Sequence, residues 1–173
     1  VRPNGHVLPE RVEQDLPKAV AAVRKEGMDV YMITTSITSA ADPNTERILK
    51  TASSLGIRHY RTGYYMYDEK ISIDENLVRF KDQLSKLASL NKKYAISGEY
   101  QNHSGGQYFG APIWDLQNVL KQINSSWIGS QYDINHATVE GANTWSIGLK
   151  LLKSHIKSID IKDFLWTKRE GKW

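Results

Sequence analysis

Gln131-Tyr-Asp-Ile-Asn-His-Ala-Thr-Val-Glu-Gly141 follows a short apolar run, Trp127-Ile128-Gly129, and precedes a segment of helical periodicity. That pattern reads as strand, then turn, then helix, and it sets Asp133 and His136 at or just beyond the strand's C-terminal end. In a parallel α/β fold this rim is where ligands bind. A carboxylate and an imidazole three residues apart there suit a divalent metal and a polar substrate. The plainer alternative is a turn capped by Asp133 beside a surface histidine. The choice depends on what surrounds the stretch.

Upstream, Asp29–Ile37 is a β-branched, apolar segment, Ile57–Tyr64 a second strand and Tyr94–Glu99 a third. Trp127–Tyr132 and Ile156–Ile161 follow. The expected starts lie 28 to 36 residues apart, the length of a strand–helix unit, with no hairpin signal between them. The intervening segments carry helical patterns. Leu16, Val20 and Val23 form one face, with Pro17 expected in a first turn capped by Asp15. Asp42-Pro43 opens the next helix and Gly56 ends it. Asp74 is expected to cap the longest helix, and Trp114–Ile123 and Asn143–His155 are the last two. Val1 to Pro9 and Phe164 to Trp173 read as loops. Such alternation predicts an α/β fold with a parallel sheet and right-handed crossovers. It fits a five-stranded doubly wound domain or part of a (β/α)8 barrel, which closes at about 250 residues. No Gly-x-Gly-x-x-Gly or Walker loop follows any strand, which argues against nucleotide binding.

The chain has 173 residues, enough for one domain with a sizeable core. Its 23 basic and 19 acidic residues are scattered, so the net charge of +4 gives no nucleic-acid footprint. No apolar stretch approaches the roughly 20 residues of a membrane span. The absence of cysteine excludes disulfides, thiolate metal sites and a cysteine nucleophile. A start at Val1 without Met leaves the compartment open, cytoplasmic or periplasmic alike.

On a parallel sheet the strand ends bring His6, Ser36, Tyr64, Glu99, Gln101, His103, Asp133, His136, Asp160 and Lys162 to one rim. Oxygen and imidazole donors gather at three successive ends, and hard divalent ions favour such oxygen donors. His59 and His155 read as structural or exposed, Trp114 and Trp145 as packing, and Glu140 as a solvated loop residue. Four motifs occur in order: Gln101-Asn-His-Ser-Gly105, Gly110-Ala-Pro-Ile-Trp-Asp-Leu116, Tyr132-Asp-Ile-Asn-His-Ala-Thr-Val-Glu-Gly141 and Ile159-Asp-Ile-Lys-Asp163. Together they resemble the sugar phosphate isomerase/epimerase family of xylose-isomerase-like TIM barrels. The resemblance spans essentially the whole chain. It implies a single incomplete (β/α)8 barrel domain over 1–173, with five to six βα units and without the first and last strands.

The resemblance further implies one divalent metal (Mn2+, Mg2+, Co2+ or Zn2+) and a sugar or sugar phosphate as ligand. In the family two glutamates move protons while an enediolate forms. Carried over, Asp133 matches the metal-binding Asp, Gln101 stands at the metal-binding and catalytic Glu of strand five, and Asp160 stands at a metal-binding His. His103, His136 and Lys162 match substrate contacts, and His6, from its place on the rim, is a further substrate-binding candidate. Gln101 can lend a carbonyl oxygen but cannot take a proton. Glu99 lies two residues earlier, on the same side if the strand extends that far, and is the candidate to supply the missing carboxylate. The expected function is metal-assisted isomerisation or epimerisation in a full-length form, with the 173-residue chain itself inactive. The alternative is a non-catalytic carbohydrate binder with a degenerate metal site. A third reading, a metal-dependent nuclease of the same barrel type, needs more His and Glu ligands than this rim offers.

Overall fold

The computed structural model describes residues 6–163 and 167–171. The predicted loops at the two ends therefore lie partly outside the described residues. Five strands form one parallel sheet in sequence order: β1 (Met32–Thr34), β2 (His59–Arg61), β3 (Ser97–Gln101), β4 (Ile128–Asp133) and β5 (Ile156–Asp160). Each crossover carries helix: α2 (Pro43–Ser54), α3 (Ile73–Tyr94), α4 (Ile113–Ile123), then α5 (Ile134–Gly141) and α6 (Trp145–Leu152) between β4 and β5. Helix α1 (Val12–Lys25) precedes the sheet. The sheet curls. Gln131 Nε2 on β4 lies 3.7 Å from Met32 Sδ on β1, across the concave face. The architecture is a half-barrel, a partial TIM barrel.

Alternation divides the strand residues cleanly. Tyr60, Tyr100 and Tyr132 point outward and are fully buried between sheet and helices. Each hydroxyl has a partner: Tyr60 donates to Asn91 Oδ1 at 3.0 Å, Tyr100 to the Phe109 carbonyl at 2.8 Å, and Tyr132 to the Trp145 carbonyl at 2.5 Å. A Cβ on Gly98 would fall 2.8 Å from both Asn91 Nδ2 and Ile128 Cδ1, so this tight layer requires glycine there. Around these rings pack Leu49, Ile57, Phe80, Leu84, Leu87 and Leu116. The lumen face is polar instead, carrying His59, Arg61, Glu99, Gln101, Gln131, Asp133, Ser158 and Asp160. It is a hydrogen-bonded interior, not the branched aliphatic filling that usually occupies such barrels.

Between β4 and β5 the ladder slips by one residue. Ser130 pairs with Ile156 but Gln131 pairs with Ser158, leaving Lys157 as a bulge. Its stem lies over Gly129, whose added Cβ would be 2.7 Å from Lys157 Cγ.

Several local expectations change. Strands β1 and β2 pair over three residues each, shorter than Asp29–Ile37 and Ile57–Tyr64 suggested. Pro17 lies inside α1, because a 3-10 turn headed by Pro9 runs into the helix and starts it at Val12. Asp15 is then no cap; it pairs with Arg11 at 2.6 Å. Ser72, not Asp74, caps α3, through a capping box in which Glu75 N donates to Ser72 Oγ at 3.2 Å and Ser72 N to Glu75 Oε2 at 2.8 Å. Helix α3 runs on to Tyr94 and ends with Ala95 in the left-handed region (φ 49°), so β3 begins at Ser97. The segment after Asp133 is helical at once, and a 3-10 turn at Ala142–Thr144 joins α5 to α6 in place of one helix over Asn143–His155. Asp42 and Gly56 act as expected: Asn44 N donates to Asp42 Oδ1 at 2.8 Å, and Gly56 has φ 84°.

Candidate functional site at the strand ends

Gln101 ends β3 and joins everything around it. Its Nε2 donates to Asp133 Oδ2 and to Asp160 Oδ2, both at 2.7 Å. Its Oε1 accepts from the Tyr64 hydroxyl at 2.5 Å and from Arg61 Nη1 at 2.6 Å. The amide cannot be turned over. Arg61 offers only donors and would face the amide NH2, while the carbonyl would face two carboxylates. Gln101 is 4% exposed.

Asp133 is fully buried at the end of β4. Its Oδ1 accepts from the His136 backbone N–H at 3.1 Å, so it caps α5. Its Oδ2 accepts from Gln101 and from the Lys162 ammonium, with His136 Nε2 at 3.6 Å. The capping reading of Asp133 is thus realised, in a side chain that also faces Gln101 and Lys162. Asn102 fixes the turn by accepting from Asp133 N at 2.8 Å and donating to the Asp133 carbonyl at 3.0 Å. Asp160, on β5, also accepts from Gln131 Nε2 at 3.2 Å and lies 3.9 Å from Lys162 Nζ.

The histidines stand above this layer. The rings of His103 and His136 are 4.0 Å apart, and His103 also meets Tyr108 at 4.5 Å and Tyr64 at 5.0 Å. Ser104 Oγ lies 2.9 Å from His136 Nδ1. Burial, more than any neighbour, holds the His136 imidazole below its ordinary 6.5. Glu140 is not simply solvated: it accepts from the Gly105 backbone N–H at 2.6 Å and ties α5 to the glycine-rich loop.

Glu99 shares the lumen side with Gln101 but sits one layer lower. Its carboxylate accepts from the Ser158 hydroxyl and lies 2.6 Å from His59 Nδ1. Burial pushes the Glu99 carboxyl above its ordinary 4.5, against the opposing pull of Ser158 and His59. The folded chain therefore holds this proton to higher pH than the unfolded chain does, and stability falls as pH rises from 4.5 through the raised value. Glu99→Gln is expected to flatten that part of the stability–pH curve in urea titrations from pH 4 upward. An unchanged slope would show that Glu99 ionises as freely folded as unfolded.

His6 is exposed and lies beside β1, in a groove of about 660 Å3 lined by Val12, Met32 and Thr34. It is two strands away from Gln101. Arg61, Gln131, Ser104 and the lumen role of His59 were missed by sequence reasoning. Alternation was the available signal: His59 and Arg61 share a face, as do Gln131 and Asp133.

A divalent ion does not fit this arrangement. The oxygens of Asp133 and Asp160 that face each other already accept from the Gln101 amide and, at Asp133, from the Lys162 ammonium. Gln101 turns its hydrogens, not its oxygen, toward them. Among the described residues no group of three or more His, Asp or Glu side chains is arranged to hold a metal. Among them, too, no helix is long and apolar enough to cross a membrane.

Known proteins give the lineage. The fold is similar to that of the 3-keto-D-glucoside 4-epimerase YcjR from E. coli, at TM-score 0.72 and 14% identity, covering 90% of this chain and 66% of that one. A xylose isomerase domain protein from Planctomyces limnophilus matches at TM-score 0.68 and 15% identity, over 91% and 61%. The D-allulose 3-epimerase from Methylomonas sp. in complex with D-allulose matches at 0.65 and 12% identity, over 88% and 58%. The chain thus spans about three fifths to two thirds of the length of these structures. No curated protein matches it in sequence. Residues 3–173 match the family profile described as xylose isomerase-like TIM barrel, and the chain belongs to that family.

Proposed function

We propose that the rim binds a sugar or sugar derivative, and that this chain holds the ligand without isomerising or epimerising it. Gln101 carries the proposal. Proton transfer between sugar carbons needs an ionisable group beside the metal-site carboxylates, and an amide has no proton to exchange at working pH. The same residue is well suited to binding, because it orients Asp160, whose partly exposed carboxylate accepts from a sugar hydroxyl. Gln131 Oε1 adds a second argument: it is buried and has no hydrogen-bonding partner among the described residues, so it suits a hydroxyl donor. In this reading His103 and Tyr108 offer ring faces to the apolar side of a sugar, and His136 and Lys162 meet its oxygens. His6, at the β1 end of the rim, reaches only an extended ligand.

Proton transfer by a full-length protein is the second reading. Glu99 favours it, as a buried carboxyl with a raised pKa in the lumen. The two readings separate by experiment. NMR titration with D-fructose, D-tagatose and D-allulose, the sugars named for solved relatives, is expected to shift His103, His136 and the Gln101 side-chain amide. Incubation in deuterium oxide with Mn2+ is expected to leave the sugar carbons unlabelled. Deuterium incorporation lost in Glu99→Gln would favour the second reading, and no shift with any of the sugars would defeat the first.

A further inference from the structure

We propose that Lys162 is the built-in cation of this site, so that the pocket works without a divalent ion. The ammonium donates to Asp133 Oδ2 and lies 3.9 Å from Asp160 Oδ2. It bridges the two carboxylates that the family resemblance assigns to a metal. One positive charge from Lys162, with Arg61 held behind Gln101 at 2.6 Å, balances the two negative ones. An incoming Mn2+ would have to expel the ammonium, then meet an amide whose hydrogens face it and a guanidinium fixed behind. Each of these opposes the ion, and only the first can move freely.

Asp133 is fully buried, and a buried carboxylate needs a compensating charge or a full set of donors. The Gln101 amide, the His136 backbone N–H and Lys162 supply that set. Lys162 is 45% exposed at its side chain, so a ligand can reach it from solvent. The fixed ammonium also gives the pocket a donor for a ligand hydroxyl or carboxylate. The inference is independent of the sugar reading, because it is tested with metal alone.

Calorimetric titration of the whole chain with Mn2+ is expected to give no saturable binding in the micromolar range. Lys162→Met is expected to bind Mn2+ at least ~10-fold more tightly than the parent, and Lys162→Arg is expected to behave as the parent. In the unsubstituted chain, NMR is expected to show the Gln101 side-chain NH2 signals unbroadened by stoichiometric Mn2+, a readout that needs no variant to fold. Tight Mn2+ binding by the parent, with broadening at Gln101, would overturn the proposal. A folded Lys162→Met variant that gains no affinity would overturn it as well, since the ammonium would then not be what keeps the ion out.

Discussion

Gln101→Leu is expected to lower the unfolding free energy by about 3 kcal/mol. The change removes the donor shared by Asp133 and Asp160 and the acceptor shared by Arg61 and Tyr64. A hydrogen bond to a charged group contributes about 1.5–3 kcal/mol, and here several go at once. Part is recovered when Arg61 swings toward the freed carboxylates, so the individual values do not sum. At this chain length the loss corresponds to a melting temperature about 6–12 °C lower. Gln101→Glu is the informative partner variant. It keeps the acceptor for Arg61 and Tyr64 but brings a third carboxylate against two others, so its deficit shrinks as pH falls. Urea titration of both variants at neutral and acid pH tests this. A Gln101→Leu protein within 1 kcal/mol of the parent would mean that the four contacts do not hold the rim together.

The second large effect lies one layer lower. Gly129→Ala would set a methyl group against the His155 carbonyl oxygen and 2.7 Å from Lys157 Cγ. The lysine stem can shift, but the carbonyl belongs to the ladder, accepting from Ser130 N at 2.8 Å. The β4–β5 pairing must open to admit the methyl group, at a cost of about 3 kcal/mol, the upper end for overpacking. Gly106→Ala is the control, because nothing lies within 4 Å of its Cβ position. It is expected to stay within about 0.5 kcal/mol of the parent by thermal and chemical denaturation. Equal losses at the two positions would remove the close approach as the explanation.

Much of this molecule is legible in its sequence, for physical reasons. The strand–helix period survives because each unit must bury an apolar helix stripe against a strand, and those stripes are written plainly at Leu77, Phe80, Leu84 and Leu87. Asp42-Pro43 and Gly56 show because capping chemistry is local. The end of α3 does not show, since Ala95 takes a left-handed conformation that glycine or asparagine would have signalled. Asp133 and Asp160 stand where strand ends predict a rim. What occupies their oxygens was invisible, because it depends on Arg61 and Tyr64 reaching Gln101 from another strand and so fixing which way an amide faces. Sequence names the residue at 101 but not the direction of its dipole. The same holds for Glu99, whose partners His59 and Ser158 come from β2 and β5.

The bulge at Lys157 bears on how this site can be compared with those of relatives. Counted as a regular strand from Ile156, β5 would turn Ile159 to the lumen and Asp160 to the helix layer. The extra residue shifts the phase by one, and Ser158 and Asp160 face Glu99 and Gln101 instead. An ungapped alignment to an unbulged strand would therefore match lumen residues with residues from the back of the sheet. Deleting Lys157 would remove the bulge and leave Ser158 and Asp160 facing the lumen, whereas pairing Lys157 into the ladder would turn both to the helix layer. Asp160 belongs to the pocket because one lysine beneath it stands outside the ladder.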